Sequence, residues 1–265
     1  MLTKRLIACF DIKGGNVTKA QKFQDNIFVG KAEDVAEQVY AQQIDELIFF
    51  DISASAEKRQ IDIEMVKTVG ERVFVPFCVG GGIRNLDDMY LVLKSGAEKI
   101  SVDSMAVRNP SIIEDGARAF GSQCIVLSMQ VLRVEKTAQI PSGYEVYIDG
   151  ARHATGLDAI EWAKRGANLG AGEICINSID NDGMSQGYDI GITKAIADAV
   201  KVPVIASGGA GKPKHLKELF TETSATGAII SSMLYSPRLE RNYSVKELKE
   251  YLLANGILIR PYGNL

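Results

Sequence analysis

The chain is poor in the residues that most often carry metal or redox chemistry. Its only histidines are His153 and His215, neither with a ligand-spaced neighbour, so no metal centre is expected and nothing calls for a cofactor. The four cysteines, Cys9, Cys78, Cys124 and Cys175, show no Cys-x-x-Cys spacing and follow no secretory signal. Each lies in an apolar, strand-like run, which reads as buried, reduced thiols of a cytoplasmic protein. No hydrophobic run approaches the length that spans a bilayer, so a membrane protein is not expected. Blocks of one charge are also missing. The 30 Lys and Arg stand against 33 Asp and Glu, a net charge of −3 without a basic stretch, and nucleic acid is not the expected partner. A small molecule is.

What the chain does have is glycine in phrases. Val202 to Lys212 reads Val-Pro-Val-Ile-Ala-Ser-Gly-Gly-Ala-Gly-Lys, ahead of a helix-like segment at His215–Thr221. An apolar run, a glycine cluster and a helix in that order present backbone amides that can hold a phosphate. The phrase recurs at Val75 to Arg84 as Val-Pro-Phe-Cys-Val-Gly-Gly-Gly-Ile-Arg, with Pro76 and Pro203 lying 127 residues apart. Asp45-Glu46-Leu47-Ile48 answers Gly172-Glu173-Ile174-Cys175 at the same spacing, and Asp103-Ser104-Met105 answers Ser231-Ser232-Met233 at 128. The molecule is two similar halves in tandem. A length of 265 residues, 46% of them hydrophobic, fits two small domains or one α/β barrel. With no linker between the halves, one domain over residues 1–265 is expected.

Apolar runs of strand length fall at Arg5–Asp11, Glu46–Asp51, Val73–Val79, Lys99–Asp103, Cys124–Val131, Glu173–Ser178, Val202–Ser207 and Ala228–Ser231. Most are continuously apolar, as parallel strands covered on both faces must be. Helical periodicity fills the intervals, at Ala32–Gln43, Ile61–Val69, Leu86–Lys94, Pro110–Phe120, Gly156–Leu169, Asp189–Val200, Lys214–Thr221 and Val245–Ala254. Strand then helix, eight times, predicts a (β/α)8 TIM barrel built from two half-barrels. Asn85, Asn109-Pro110 and Ser244 with Glu247 mark helix starts. Arg133 to Thr155 interrupts the rhythm after strand 5 and reads as an inserted loop with a small hairpin on the catalytic face.

In such a barrel the chemistry sits at the C-terminal ends of the strands. Those ends are Asp11, Asp51, Gly80-Gly81-Gly82, Asp103-Ser104, Gln130, Asp180-Asn181-Asp182-Gly183, Ser207-Gly208-Gly209 and Ser231-Ser232. The two glycine clusters stand in opposite halves, which points to two anion sites facing each other and a ligand with a phosphate at each end. Asp11 is the candidate general acid or base, with Asp51 and Asp182 as further carboxylates. Each has a structural alternative. Glycines also turn a chain, Asp11 also caps, and acidic loop residues also bind turns.

Many ordered stretches resemble the HisF family, the cyclase subunits of imidazole glycerol phosphate synthase. They include Lys4-Arg5-Leu6-Ile7 with Asp11, Asp51-Ile52-Ser53-Ala54-Ser55, Val79 to Arg84, Phe120 to Cys124, Gly170 to Glu173, Asp180 to Gly183, Gly187-Tyr188-Asp189 and Ala206 to Lys212. The resemblance implies a barrel bound to a glutaminase subunit, which delivers ammonia through the barrel to a bis-phosphate substrate. It also implies an ammonia gate of alternating charges, here Arg5, Glu46, Lys99 and Glu173. Lys19 falls in the family's closing loop, Glu98 resembles an acidic docking residue, and Gly183, Gly209, Ser231 and Ser232 mark the better-kept phosphate site, as Gly81, Gly82, Asp103 and Ser104 mark the other. No cysteine here sits in a nucleophile turn with a partnered histidine, so the chain has no glutaminase of its own and ammonia must come from a partner or from solution.

Departures concentrate at the mouth. The family's second catalytic aspartate falls on Gln130, and the internal repeat independently pairs Asp11 with Gln130. An amide cannot exchange protons near neutral pH, so the two-carboxylate reaction is altered or lost as written. Asp103 stands for a usual asparagine near one phosphate, which a carboxylate would repel; Met184, Gly14, Asn16 and the Gly30-Lys31-Ala32 stretch also differ. Three readings follow. The first is an ammonia-handling subunit that serves a phosphorylated or nucleotide-linked acceptor, or a separate amidotransferase making amidine-bearing surface sugars. The second is a genuine cyclase that tolerates Gln130. The third is a non-catalytic scaffold for a partner enzyme.

Overall fold

The computed structural model describes residues 3–21, 24–52, 54, 61–236, 239 and 241–263, with the backbone alone at 19–21 and 24–26. Strand β1 (Arg5–Lys13) leads into the hairpin β2 (Asn16–Gln21) and β3 (Gln24–Lys31), then α1 (Ala32–Tyr40). Alternation follows through β4 (Glu46–Asp51), α2 (Ile63–Arg72), β5 (Phe77–Gly80), α3 (Leu86–Lys94), β6 (Lys99–Val102), α4 (Ser104–Arg108) and α5 (Ser111–Phe120). Strand β7 (Ile125–Arg133) carries a second hairpin, β8 (Tyr144–Ile148) and β9 (His153–Asp158). The chain continues with α6 (Ala159–Asn168), β10 (Glu173–Ser178), α7 (Ile190–Ala199), β11 (Val204–Ser207), α8 (Pro213–Glu222), β12 (Gly227–Ile229), α9 (Ser231–Tyr235) and α10 (Val245–Ala254).

Eight parallel strands pair in the cyclic order β1, β4, β5, β6, β7, β10, β11, β12 and back to β1, which closes a (β/α)8 barrel. The two hairpins extend it. Strand β2 pairs antiparallel with β1, and β8 with β7, so the opposite strands of the barrel bear equivalent additions. The segment after strand 5 is therefore an extension of the sheet through Asp158, with Arg133 still in β7 and paired in register with Tyr144. Several strands begin or end away from their expected limits: β1 and β7 each run two residues further, and β11 starts at Val204. Val73 closes α2 and Pro76 has no amide hydrogen to give, so β5 starts at Phe77. Ser231 opens α9 and leaves β12 with three residues.

Helix starts are set by side chains. Asn85 accepts the N–H of Asp88, Asp62 that of Met65, and Asp189 that of Ile192, while Ser244 and Glu247 cap each other reciprocally. The helices pack on the outer strand faces in one large apolar cluster, from Leu6, Ala8, Phe10 and Ile12 of β1 to Leu248 and Leu252 of α10. A second, separate cluster of Ile7, Cys9, Ile48, Cys78, Val126, Cys175, Ile205 and Ile229 fills the barrel itself.

One buried ion pair ties the last helix to the barrel floor. Lys249 of α10 is 1% exposed, and its ammonium donates to Asp45 Oδ1 at 2.7 Å and to the Gln43 carbonyl at 2.8 Å. The other oxygen of Asp45 accepts the N–H of Leu6 at 2.9 Å, so the pair spans α10, the start of β4 and the start of β1. Removing only the cation strands a buried carboxylate. Lys249→Met is expected to lose about 3–5 kcal/mol in urea unfolding, and adding Asp45→Asn, whose amide oxygen can still accept from Leu6, is expected to recover part of that loss.

Candidate active site

Alternation along the strands sorts the interior side chains by depth. Arg5, Ile7, Cys9 and Asp11 share one face of β1, Glu46, Ile48 and Phe50 one face of β4, and Val126, Ser128 and Gln130 one face of β7. Lys99 and Ser101 share a face of β6, with Asp103 next in phase, and Glu173, Cys175 and Asn177 share a face of β10. Because the apolar members of this set form the inner cluster, the shared face looks into the barrel. Charged groups lie at its floor, apolar groups and thiols in the middle, and polar groups at the mouth.

At the floor, Arg5, Glu46, Lys99 and Glu173 each begin their strand and meet in a closed ring. Glu46 accepts from Arg5 Nη1 at 2.5 Å through one oxygen and from Lys99 Nζ at 2.6 Å through the other. Glu173 accepts from Lys99 at 2.9 Å and, through its second oxygen, from Arg5 Nη2. Every carboxylate oxygen thus takes one cationic donor. Burial alone would lower both basic groups, but the two carboxylates outweigh it and hold Arg5 and Lys99 above their ordinary values. Glu98 faces the backbone, accepting the N–H of Phe77 at 2.8 Å.

The lining above the ring is uncharged. Burial pushes the Cys78 and Cys175 thiols upward, so they stay protonated at neutral pH. Asn177 donates to Ser128 Oγ at 2.8 Å, and the Ser101 hydroxyl is buried with no hydrogen-bond partner.

Two glycine corners shape the mouth. Gly81 and Gly82 have φ of +86° and +73°, Gly208 and Gly209 of +94° and +97°. A Cβ on Gly81 would lie 2.2 Å from the Asp51 carbonyl oxygen, and one on Gly208 would lie 2.8 Å from that of Ser178, so only glycine fits at either corner. Around the second corner, the Gly187 amide donates to the Gly209 carbonyl at 2.8 Å, and Ser231 Oγ accepts the N–H of Cys9 at 2.6 Å. Gly183 and the half-buried Asp182 lie in the adjoining loop, and Ser232 is half-buried beside Ser231. Asp51 is buried, with one oxygen accepting the N–H of Ala54 at 3.0 Å, a turn contact. Asp11 lies near the C-terminal end of β1, in register with Thr18 of β2. The Lys19 side chain, Ser53 and Ser55 fall outside the described residues.

The remaining candidates, Gln130, Asp103 and Ser104, come together in one network. Gln130 is buried and donates through Nε2 to Asp103 Oδ2, while its Oε1 accepts the N–H of Ala151 at the tip of the β8–β9 hairpin. A backbone N–H can only donate, so the amide cannot turn over and its NH2 must face Asp103. The Asp149 N–H donates to Ser104 Oγ at 2.9 Å, and Arg108 pairs with the Asp149 carboxylate. Burial pushes the Asp103 carboxyl up to about 7, with Asp149 adding to the shift and the bond from Gln130 and the charge of Arg108 opposing it. The tip itself is strained, with Asp149, Gly150 and Ala151 all left-handed at φ of +58°, +69° and +63°. An Asp149-Gly150 turn is legible in the sequence, but nothing there tells where the turn lands, and Arg108, Asp149 and Ala151 are not foreseen.

At its base the hairpin is held by Tyr144, whose hydroxyl accepts from Arg133 at 2.6 Å and donates at 3.1 Å to Asp189, the cap of α7. Among the described residues no cluster of three His, Cys, Asp or Glu could hold a metal, and no helix is long and apolar enough to cross a membrane.

Known proteins resemble the chain over nearly its whole length. The family described as "Histidine biosynthesis protein" matches residues 5–240. The chain is 50% identical over 260 residues to "Imidazole glycerol phosphate synthase subunit HisF" of Desulfatibacillum aliphaticivorans, covering 98% of each chain. It is equally similar, at 50%, to the protein of that name from Desulfosudis oleivorans, and 49% identical to that of Syntrophobacter fumaroxidans, covering 98% of this chain and 99% of each relative.

A carboxyl whose folded value lies above its unfolded one favours folding most at low pH. The contribution of Asp103 is complete below about pH 4, is lost as pH rises toward about 7 and is constant beyond. The wild type is therefore expected to lose more stability between about pH 5 and about pH 8 than Asp103→Asn does, measured by urea unfolding at both pH values.

Proposed function

The chain belongs to the histidine biosynthesis family that contains the HisF subunits, and from that premise we propose that it is the synthase subunit of a two-part glutamine amidotransferase. It takes ammonia from a separate glutaminase through the barrel floor and adds it at the mouth to a phosphorylated acceptor. The observation that carries this reading is the closed ring of Arg5, Glu46, Lys99 and Glu173 beneath an uncharged interior. An ammonium ion entering the apolar lining would forfeit its hydration, whereas neutral ammonia has no charge to desolvate. A ring that is neutral in sum places no net charge in the passage. Phosphate binding is assigned to the corner at Gly183, Gly208, Gly209, Ser231 and Ser232, a glycine turn with two hydroxyls after the neighbouring strand; Gly81, Gly82 and Ser104 are its counterpart in the other half.

Gln130 supports a second reading, in which the subunit passes ammonia to a separate amidotransferase acting on a surface sugar and makes no imidazole product of its own. The two readings share the glutaminase and differ at the mouth. Mixing the chain with the glutaminase encoded beside it is expected to give a stable heterodimer and to raise glutamine hydrolysis by about tenfold or more, within the usual range of coupling between sites. Neither complex nor stimulation would remove both readings. Ammonium-dependent formation of imidazole glycerol phosphate by the chain then selects the first, and its absence selects the second.

A further inference from the structure

Adding ammonia to a carbonyl carbon is a problem in protons. The nitrogen lone pair forms the new N–C bond, the carbon–oxygen π pair moves to oxygen, and the adduct is left with one proton too many on nitrogen and one too few on oxygen. One group must give and another must take, and both must titrate within reach of neutral pH. Asp11 at the end of β1 is one carboxyl of the mouth. Its repeat mate, Gln130, is an amide and can do neither.

We propose that Asp103, held by the Gln130 amide, is the second proton-exchanging catalytic residue of the barrel mouth, and that Gln130 is its positioning residue. This rests on the first reading above, in which the chain adds ammonia to its own phosphorylated carbonyl acceptor. Asp103 follows β6 in phase with Lys99 and Ser101, and so belongs to the face that lines the barrel. Gln130 cannot turn away from it, because the Ala151 N–H occupies the other end of the amide. Three consecutive left-handed residues at the hairpin tip maintain that arrangement, a conformation retained only where the surroundings over-determine it. The groups facing Asp103 are Gln130 from β7, Asp149 from the hairpin tip and Arg108 from α4, with the protonated Cys175 thiol of β10 deeper in the barrel and His153 beyond Asp149 at 4.0 Å. Burial, reinforced by Asp149 and opposed by the Gln130 bond and the charge of Arg108, leaves the carboxyl titrating at about 7, where acid and base forms are both populated. In the addition step Asp103 as the acid gives its proton to the carbonyl oxygen, Asp11 as the carboxylate takes one from nitrogen, and exchange with solvent restores both.

The test uses the chain in complex with its glutaminase, with ammonium salt as the nitrogen source and imidazole glycerol phosphate as the measured product. The wild type is expected to show kcat/KM falling above a midpoint near 7. Asp103→Asn is expected to lose about a hundredfold or more in kcat, with KM changed little and with undiminished stimulation of the glutaminase, which shows that the barrel is folded. Gln130→Leu should move the midpoint upward, because the bond that favours the carboxylate is gone. The exchanged pair D103N/Q130D, which puts the carboxyl on the other side of the same hydrogen bond, should regain much of the rate. An active wild type whose Asp103→Asn variant stays within about threefold of it, or an unmoved midpoint in Gln130→Leu, overturns the assignment and leaves the ammonia-adding function intact. A wild type that makes no product overturns the function, and the assignment with it.

Discussion

A side chain on a strand of a closed barrel has two directions open to it, and this restriction orders the rest of the molecule. Period-two alternation sends Leu6, Ala8, Phe10 and Ile12 toward the helices and leaves Arg5, Ile7, Cys9 and Asp11 inside. The same parity on β4, β6, β7 and β10 stacks a charged layer, an apolar layer and a polar layer along one axis. A one-residue slip of β1, β4, β6 or β10 would turn its interior set toward the helices and place a charge in the outer core. The continuous apolar core between strands and helices thus fixes the position of the ring at the floor as well as the position of Asp11 and Gln130 at the mouth.

The electrostatics of the two ends differ in kind. At the floor, two buried carboxylates share two cations, so each charge has an opposite neighbour and the desolvation of all four is offset within the ring. At the mouth, burial pushes the Asp103 carboxyl up to about 7, and nearby Asp149 adds to the shift more than Arg108, which pairs with Asp149, takes from it. A group in that condition is a poor structural anchor and a good proton exchanger. The strain of the Asp149-Gly150-Ala151 tip is absorbed by hydrogen bonds to Ser104 and Gln130 and by the pair with Arg108.

Duplication has kept the backbone and let the side chains diverge. Gly81 lies against Asp51 as Gly208 lies against Ser178, and β1 and β7 each carry an antiparallel hairpin. These are features that a change of residue would disrupt, since a Cβ at either corner meets a carbonyl group. The acidic network beside the first corner engages only side chains and the hairpin tip, and the second corner is built instead from Ser231 and the loop held by Gly187. One scaffold therefore carries two unlike corners.

The amino-acid sequence by itself determined the parts that depend on neighbours along the chain. Strand and helix order follow from hydrophobic period, the glycine corners from positions where a Cβ cannot stand, the helix starts from Asn85 and Ser244, and the two-fold plan from phrases repeated at 127 residues. The resemblance to the HisF family named Arg5, Glu46, Lys99 and Glu173 as a set, and the departure at Gln130 was visible as a missing carboxyl. What that amide does instead could not be read from sequence, because its partners Asp103 and Ala151 reach it from a different strand end and from a hairpin tip. Lys249 and Asp45 are hidden for the same reason, being 204 residues apart and joined only when the barrel closes and α10 packs against it. Local pattern decides which elements form and which face each presents. Contact between elements, and with it the burial that sets the charge state of Asp103, exists only in the folded barrel.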